Sequence, residues 1–193
     1  MNERKVKGTM LVDHVRMIRG NKERNWNQYL KPEDWAVIKT RILASEWYPL
    51  ELYKRCGWAA FNELAGGSTD LTRLRGKIRG KELFEGVYKS LIGGNDPMMA
   101  LQRFVGMYSQ LFNFSTLTFE NAGANHGRIH HDYDPGDPAN VPYCYQLMGH
   151  LDVLIEMSGG ENVVIELITK QWEGAPFTGF DIRWQSSTPA QDA

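Results

Sequence analysis

Long apolar runs, cysteine pairs and the common catalytic motifs are all missing from this 193-residue chain. Its longest apolar stretches, around residues 147–151 and 163–165, fall far short of the roughly 20 residues that a membrane helix needs, so no span is expected. The only cysteines are Cys56 and Cys144. They form no Cys-x-x-Cys pair and are too few for a disulfide scaffold, which makes residence in the cytoplasm the simplest expectation. No apolar stretch follows the charged residues 1–7, so no secretory signal is expected. The chain contains no Gly-x-x-x-x-Gly-Lys-Ser/Thr, Gly-x-Gly-x-x-Gly, Gly-x-Ser-x-Gly or His-Glu-x-x-His sequence. These absences argue against the familiar nucleotide-binding, serine-hydrolase and zinc-protease sites without excluding an enzyme.

What is present is an ordinary globular balance. Apolar residues make up 42% and charged residues 23%, with 22 basic against 23 acidic side chains. That composition can bury a core, and the length suits one domain. The expectation is a single domain over residues 1–184, followed by a flexible tail, 185–193, without large apolar anchors. Charge is divided unevenly: residues 1–89 hold 18 basic and 11 acidic side chains, and residues 90–193 hold 4 and 12. Opposite halves of this kind attract each other within a chain or between copies, or offer a basic face to an anion.

Apolar spacings of three and four predict helices through the first two thirds. Leu11, Val15 and Ile18 mark the first. Pro32 opens a second with Trp35, Ile38, Ile42 and Leu43, and Pro49 a third that Gly66-Gly67 closes. A cluster from 69 to 92 is interrupted by Gly76, Gly80 and Gly86. Asp96-Pro97 is a cap and first residue for a helix carrying Leu101, Phe104, Val105 and Tyr108. Alternation then takes over: residues 114–120 read as a strand, Asn121-Ala122-Gly123 as a turn, and 128–133 as the returning strand. Residues 135–142 read as a loop, and a late helix carries Tyr143, Leu147, Leu151 and Leu154. Residues 162–170 and 179–184 complete the sheet. The fold class expected is α+β, with N-terminal helices on a twisted antiparallel sheet of about four strands that the late helix crosses.

The segments Lys7-Gly-Thr-Met-Leu11, Glu46-Trp-Tyr-Pro-Leu-Glu-Leu-Tyr53, Gly86-Val-Tyr88, Asp96-Pro97, Pro142-Tyr-Cys144 with Gly149, and Phe180-Asp-Ile-Arg-Trp184 stand in an order that resembles an uncharacterised family found chiefly in myxobacteria. That family is similar to the fold shared by haem-dependent nitric oxide sensors, the 4-vinyl reductase domain and Bet3-like subunits of vesicle-tethering complexes. The resemblance implies helices on a twisted sheet, homodimers, and a ligand-sensing or assembly role in place of catalysis. The family's late strands often carry two cysteines, whereas residues 166–184 here have none, so no metal or redox role is carried over. Haem would need an axial ligand, and none of His14, His126, His130, His131 and His150 matches the proximal position of the haem proteins.

Three groups of residues could bear function. Tyrosine and tryptophan combine apolar area with a polar handle, so Trp47, Tyr48, Tyr53 and Trp58, with His150 from the late helix, are candidates for an apolar ligand groove. Arg73, Arg75, Lys77, Arg79 and Lys81 place five cations in nine residues, which could grip phosphates of a nucleotide or nucleic acid, or be a solvated helix face. His126, His130, Asp132 and Asp134 are suitable metal ligands, which a loop could bring together and a strand would separate. The expected function is therefore a non-enzymatic sensing or assembly module that forms homodimers and binds a partner protein or small apolar ligand. A metal-dependent enzyme and an anion or nucleic-acid binder are the alternatives. No cofactor is named by the sequence.

Overall fold

In the computed structural model, residues 3–114, 117–133 and 136–186 are described. The chain begins with a short strand β1 (Lys5–Lys7) and helices α1 (Gly8–Gly20) and α2 (Pro32–Ile38). Strand β2 (Trp47–Pro49) leads into α3 (Leu50–Ala65), α4 (Thr69–Glu85) and α5 (Pro97–Tyr108). The hairpin β3 (Leu117–Gly123) and β4 (His126–His131) precedes the long α6 (Asn140–Met157), and β5 (Gly160–Thr169) and β6 (Thr178–Ser186) complete the fold. The main sheet is antiparallel in the order β3-β4-β6-β5. The α+β expectation holds: six α-helices and a four-stranded sheet are present among the described residues.

Local chemistry accounts for several boundaries. The Ser68 hydroxyl accepts from the Leu71 amide at 3.2 Å and the Asp96 carboxylate from the Met99 amide at 3.0 Å, satisfying donors that the first turns of α4 and α5 leave free. Gly66 ends α3 with φ +58, a left-handed conformation that glycine adopts without strain. Helix α6 is buried along most of its length, and Leu147, Leu151 and Leu154 are fully enclosed. Opposite them lie Ile165, Phe180, Ile182 and Trp184, while Val164 and Ile168 on the other face of β5 are half exposed. The inward side chains of both strands thus follow a period of two, although β6 is buried on both faces from Thr178 to Ile182. Glu166, on that outer face, lies 3.5 Å from Arg183.

Several boundaries move. Helix α2 stops at Ile38, so Ile42 and Leu43 lie beyond it. Helix α4 continues through Gly76 and Gly80 because both face α6. A methyl group on Gly76 would stand 2.2 Å from the Gln146 carbonyl oxygen, and one on Gly149 would stand 2.1 Å from that of Arg73. The glycines are thus the contact surface of two touching helices. Residues 121–123 belong to β3, and the turn falls at Ala124-Asn125, where Asn125 takes φ +55. Helix α6 starts at Asn140, inside the expected loop, since proline is tolerated in a first turn. Gln185 and Ser186 extend β6, and the rest of the expected tail lies outside the described residues. Strands β1 and β2 pair Lys5 with Pro49 and Lys7 with Trp47, which joins two of the sequence marks quoted above.

Candidate ligand cavity

Helices α1, α3 and α4 and the start of α6 enclose a cavity of about 290 Å³. Helix α1 contributes Asp13, His14, Arg16 and Met17; α3 contributes Tyr53, Gly57, Ala60 and Phe61; α4 contributes Arg75, Ile78, Arg79 and Glu82. Tyr133 and Tyr143 close the inner side. The apolar stripes that build these helices also fix the polar groups. His14 lies on the same face as Leu11, Val15 and Ile18, so it is carried inward and buried.

The polar groups of the cavity are incompletely paired. The His14 ring lies edge-on to Tyr53 at 5.2 Å, and its Nδ1 is 3.4 Å from the Met10 carbonyl oxygen. The Nε2 makes no hydrogen bond among the described residues, and the nearest position that a Gly57 methyl group would occupy is 3.5 Å away. Burial lowers the His14 pKa to about 4, so the ring is neutral at pH 7. The Tyr133 hydroxyl is buried without a partner among the described residues. Arg75 makes no hydrogen bond or ion pair among the described residues. Burial pulls its pKa down and the charge of Asp13 only partly offsets this.

Rings continue inward from the cavity. Tyr53 meets Tyr143 edge-on at 6.4 Å, Tyr143 stacks on Tyr133 at 4.8 Å and on His131 at 4.7 Å. The Tyr143 hydroxyl bonds that of Tyr108 on α5. Burial raises the pKa of Tyr108, Tyr133 and Tyr143 well above the usual phenol value and lowers that of His131 to about 3.

The sequence candidates are distributed differently from their grouping in the chain. Of the aromatic set only Tyr53 lines the cavity. Trp47 is exposed beneath the Lys7 ammonium, 4.1 Å from its ring centre, and the Tyr48 hydroxyl accepts from the Leu43 amide. Trp58 leans on Phe61 at 5.5 Å. His150 packs from α6 against Gly80, with its Nε2 buried and without a hydrogen bond among the described residues.

The basic run splits by helical geometry. Arg73 makes a two-pronged ion pair with Asp152 of α6, at 2.8 and 2.7 Å, and Lys77 reaches Glu156 at 3.0 Å. Arg79 pairs with Asp13 and Glu82, and Lys81 lies 3.8 Å from Glu85. Arg73 and Lys77 therefore pair with carboxylates of the acidic second half, Arg79 and Lys81 with carboxylates of their own half, and Arg75 alone of the five lacks a carboxylate partner among the described residues.

His126 bonds Asp181 at 2.7 Å, His130 lies against Phe177, and Asp132 accepts from Gln171. Asp134 lies outside the described residues. Among the described residues no three His, Cys, Asp or Glu side chains are grouped as a metal site. Sequence reasoning missed His14, Tyr133 and Tyr143 as cavity residues. A histidine inside an otherwise apolar helical stripe was the available signal for the first.

The arrangement of helices and sheet is matched among solved structures. An H-NOX protein from K. algicida, as unliganded Fe(II) protein, superposes with a TM-score of 0.64 at 11% identity over 96% of this chain and 100% of that one. One from S. oneidensis in the Fe(II)NO state gives 0.62 at 11% identity, covering 93% and 99%. A point mutant of T. tengcongensis H-NOX gives 0.59 at 13% identity, covering 95% and 99%. The chain has the H-NOX fold. No family model matches it, and no curated protein does.

Neighbours of the H-NOX fold raise the question of haem, and the cavity can be measured against it. An apolar cavity of roughly 150 Å³ accepts one benzene ring, so about 290 Å³ accommodates two rings and not a tetrapyrrole with four. The stacked Tyr133, Tyr143 and His131 close the inner side. The residues present do not fit a haem, although the cavity does fit a smaller molecule.

Proposed function

We propose that this chain is a non-enzymatic sensing domain of the H-NOX fold that takes a small, largely apolar ligand between α1, α3 and α4 and acts as a homodimer with a protein partner. The observation that carries the reading is the cavity itself: apolar and aromatic walls with a few unpartnered polar groups are the usual composition of a small-molecule site. The ring contacts from Tyr53 through Tyr143 to Tyr133 and His131 supply a physical connection from ligand to sheet, and the Tyr143–Tyr108 bond supplies one to α5. Self-association is supported by Leu71, Leu74 and Ile78, which stand about half exposed at helical spacing on α4.

Indole, a neutral two-ring probe, tests the cavity. It should raise the melting temperature of the intact protein, and Gly57→Leu, which grows a side chain into the space beside His14, should remove that shift while leaving the fold cooperative. Absence of any shift, or a shift that persists in Gly57→Leu, would reject the site. Native mass spectrometry of the same preparation should show a dimer that Leu74→Glu converts to monomer.

A further inference from the structure

Resting on that reading of the cavity, we infer that its ligand is an aromatic monocarboxylate of one or two rings bearing a ring N–H or O–H donor. The carboxylate is assigned to Arg75, the ring to the aromatic walls and the donor to the Nε2 of His14.

Arg75 decides the charge. A half-buried guanidinium without a carboxylate is an open position in a helix whose other four cations in the run are matched. A ligand carboxylate would accept two parallel N–H bonds there, the arrangement that suits the planar fork of arginine. One negative charge is the limit, because Asp13 and Glu82 stand on the same rim and already engage Arg79. A phosphate would bring up to two charges against a single open cation, and the two rim carboxylates would repel the excess.

The interior decides the rest. Tyr53, Phe61 and Tyr143 offer ring faces and edges, and Met17 offers a polarisable thioether, all of which favour an aromatic body over an extended aliphatic chain. With its Nδ1–H directed at the Met10 carbonyl and its ring neutral, His14 presents Nε2 as an acceptor. A ligand donor completes that group, and ordinary hydrocarbon leaves it bare.

Three probes separate these features: indole-3-acetate, indole-3-acetamide and naphthalene-1-acetate, titrated calorimetrically into the intact protein. The acid should bind about tenfold or more tighter than its amide, as a charge-assisted bond predicts. Arg75→Gln should erase that preference and Arg75→Lys should restore part of it. Indole-3-acetate should exceed naphthalene-1-acetate severalfold, a difference lost in His14→Phe. Equal binding of acid and amide, or a preference that survives Arg75→Gln in protein that still melts cooperatively, overturns the carboxylate assignment while binding of indole itself leaves the cavity standing. If none of the three probes nor indole binds, both the cavity reading and this inference fall together. Equal binding of indole-3-acetate and naphthalene-1-acetate overturns the role given to His14.

Discussion

Helix α4 has two inward sides that treat charge in opposite ways. Toward α6, glycines let the backbones touch and Arg73 and Lys77 end on Asp152 and Glu156. Toward α1 and α3 the helices stand apart around a cavity, and Arg75 has no carboxylate partner among the described residues. Residues four apart share a helix face, so one basic run serves both sides. The comparison shows that the closed side is finished for stability, whereas the open side keeps groups whose partners the chain does not supply.

The sharpest way to break the closed side is Gly149→Ala. A methyl group 2.1 Å from the Arg73 carbonyl oxygen forces two backbones apart. Alanine's better helix propensity returns about 1 kcal/mol. The net loss should be about 3 kcal/mol, measured as a fall of roughly 6 to 12 °C in melting temperature.

Next in size is an acid effect from the buried histidines. Burial lowers the pKa of His131 from 6.5 to about 3. Between those values the unfolded chain binds a proton that the folded chain refuses, so stability is constant above about pH 7 and falls as pH drops through 6.5 toward 3. At about pH 4.5 this histidine alone costs about 2 to 3 kcal/mol, and urea melts of His131→Phe should show a correspondingly shallower pH dependence. His14 shares the direction, with a pKa lowered to about 4 by burial.

Asp152→Ala comes third. It removes the partner of Arg73 but leaves a guanidinium that can turn to water, so a loss of about 1 to 2 kcal/mol is expected by denaturant melts. The smallest effect should be Arg75→Gln, within about 0.5 kcal/mol of neutral and toward greater stability, because it removes a half-buried charge with no partner. A loss from Arg75→Gln as large as that from Asp152→Ala would erase the distinction between the two sides.

Much of the fold was legible because its elements are long or strongly marked. Leu11, Val15 and Ile18 show a period that only a helix explains, Asp96-Pro97 announces a first turn, and the alternation of Phe180, Ile182 and Trp184 places a buried strand face. Strands β1 and β2 were missed because three residues are too few to display a period. Asp181 alternates with Phe180 and Ile182 and so lies on the outer face of β6, yet it is buried under His126, Arg128 and Arg183. Burial would raise its pKa, but the bonds from His126 and Arg128 and the charge of Arg183 outweigh that and hold it below the usual carboxylate value. The cavity was the least legible feature. Its walls come from residues between 13 and 146, and whether a given arginine meets a carboxylate depends on contacts between elements far apart in the chain.

The position of β6 carries a consequence for how the protein is made. It lies between β4 and β5, although both are synthesised before it. While the ribosome still holds residues 178–186, the hairpin and β5 each present a bare edge to the surroundings, and the sheet cannot close. All six helices are made before β6 and can pack on one another without it, but the sheet waits for its last strand. A nascent chain stalled just before Thr178 should accordingly be the stage most open to proteases and chaperones.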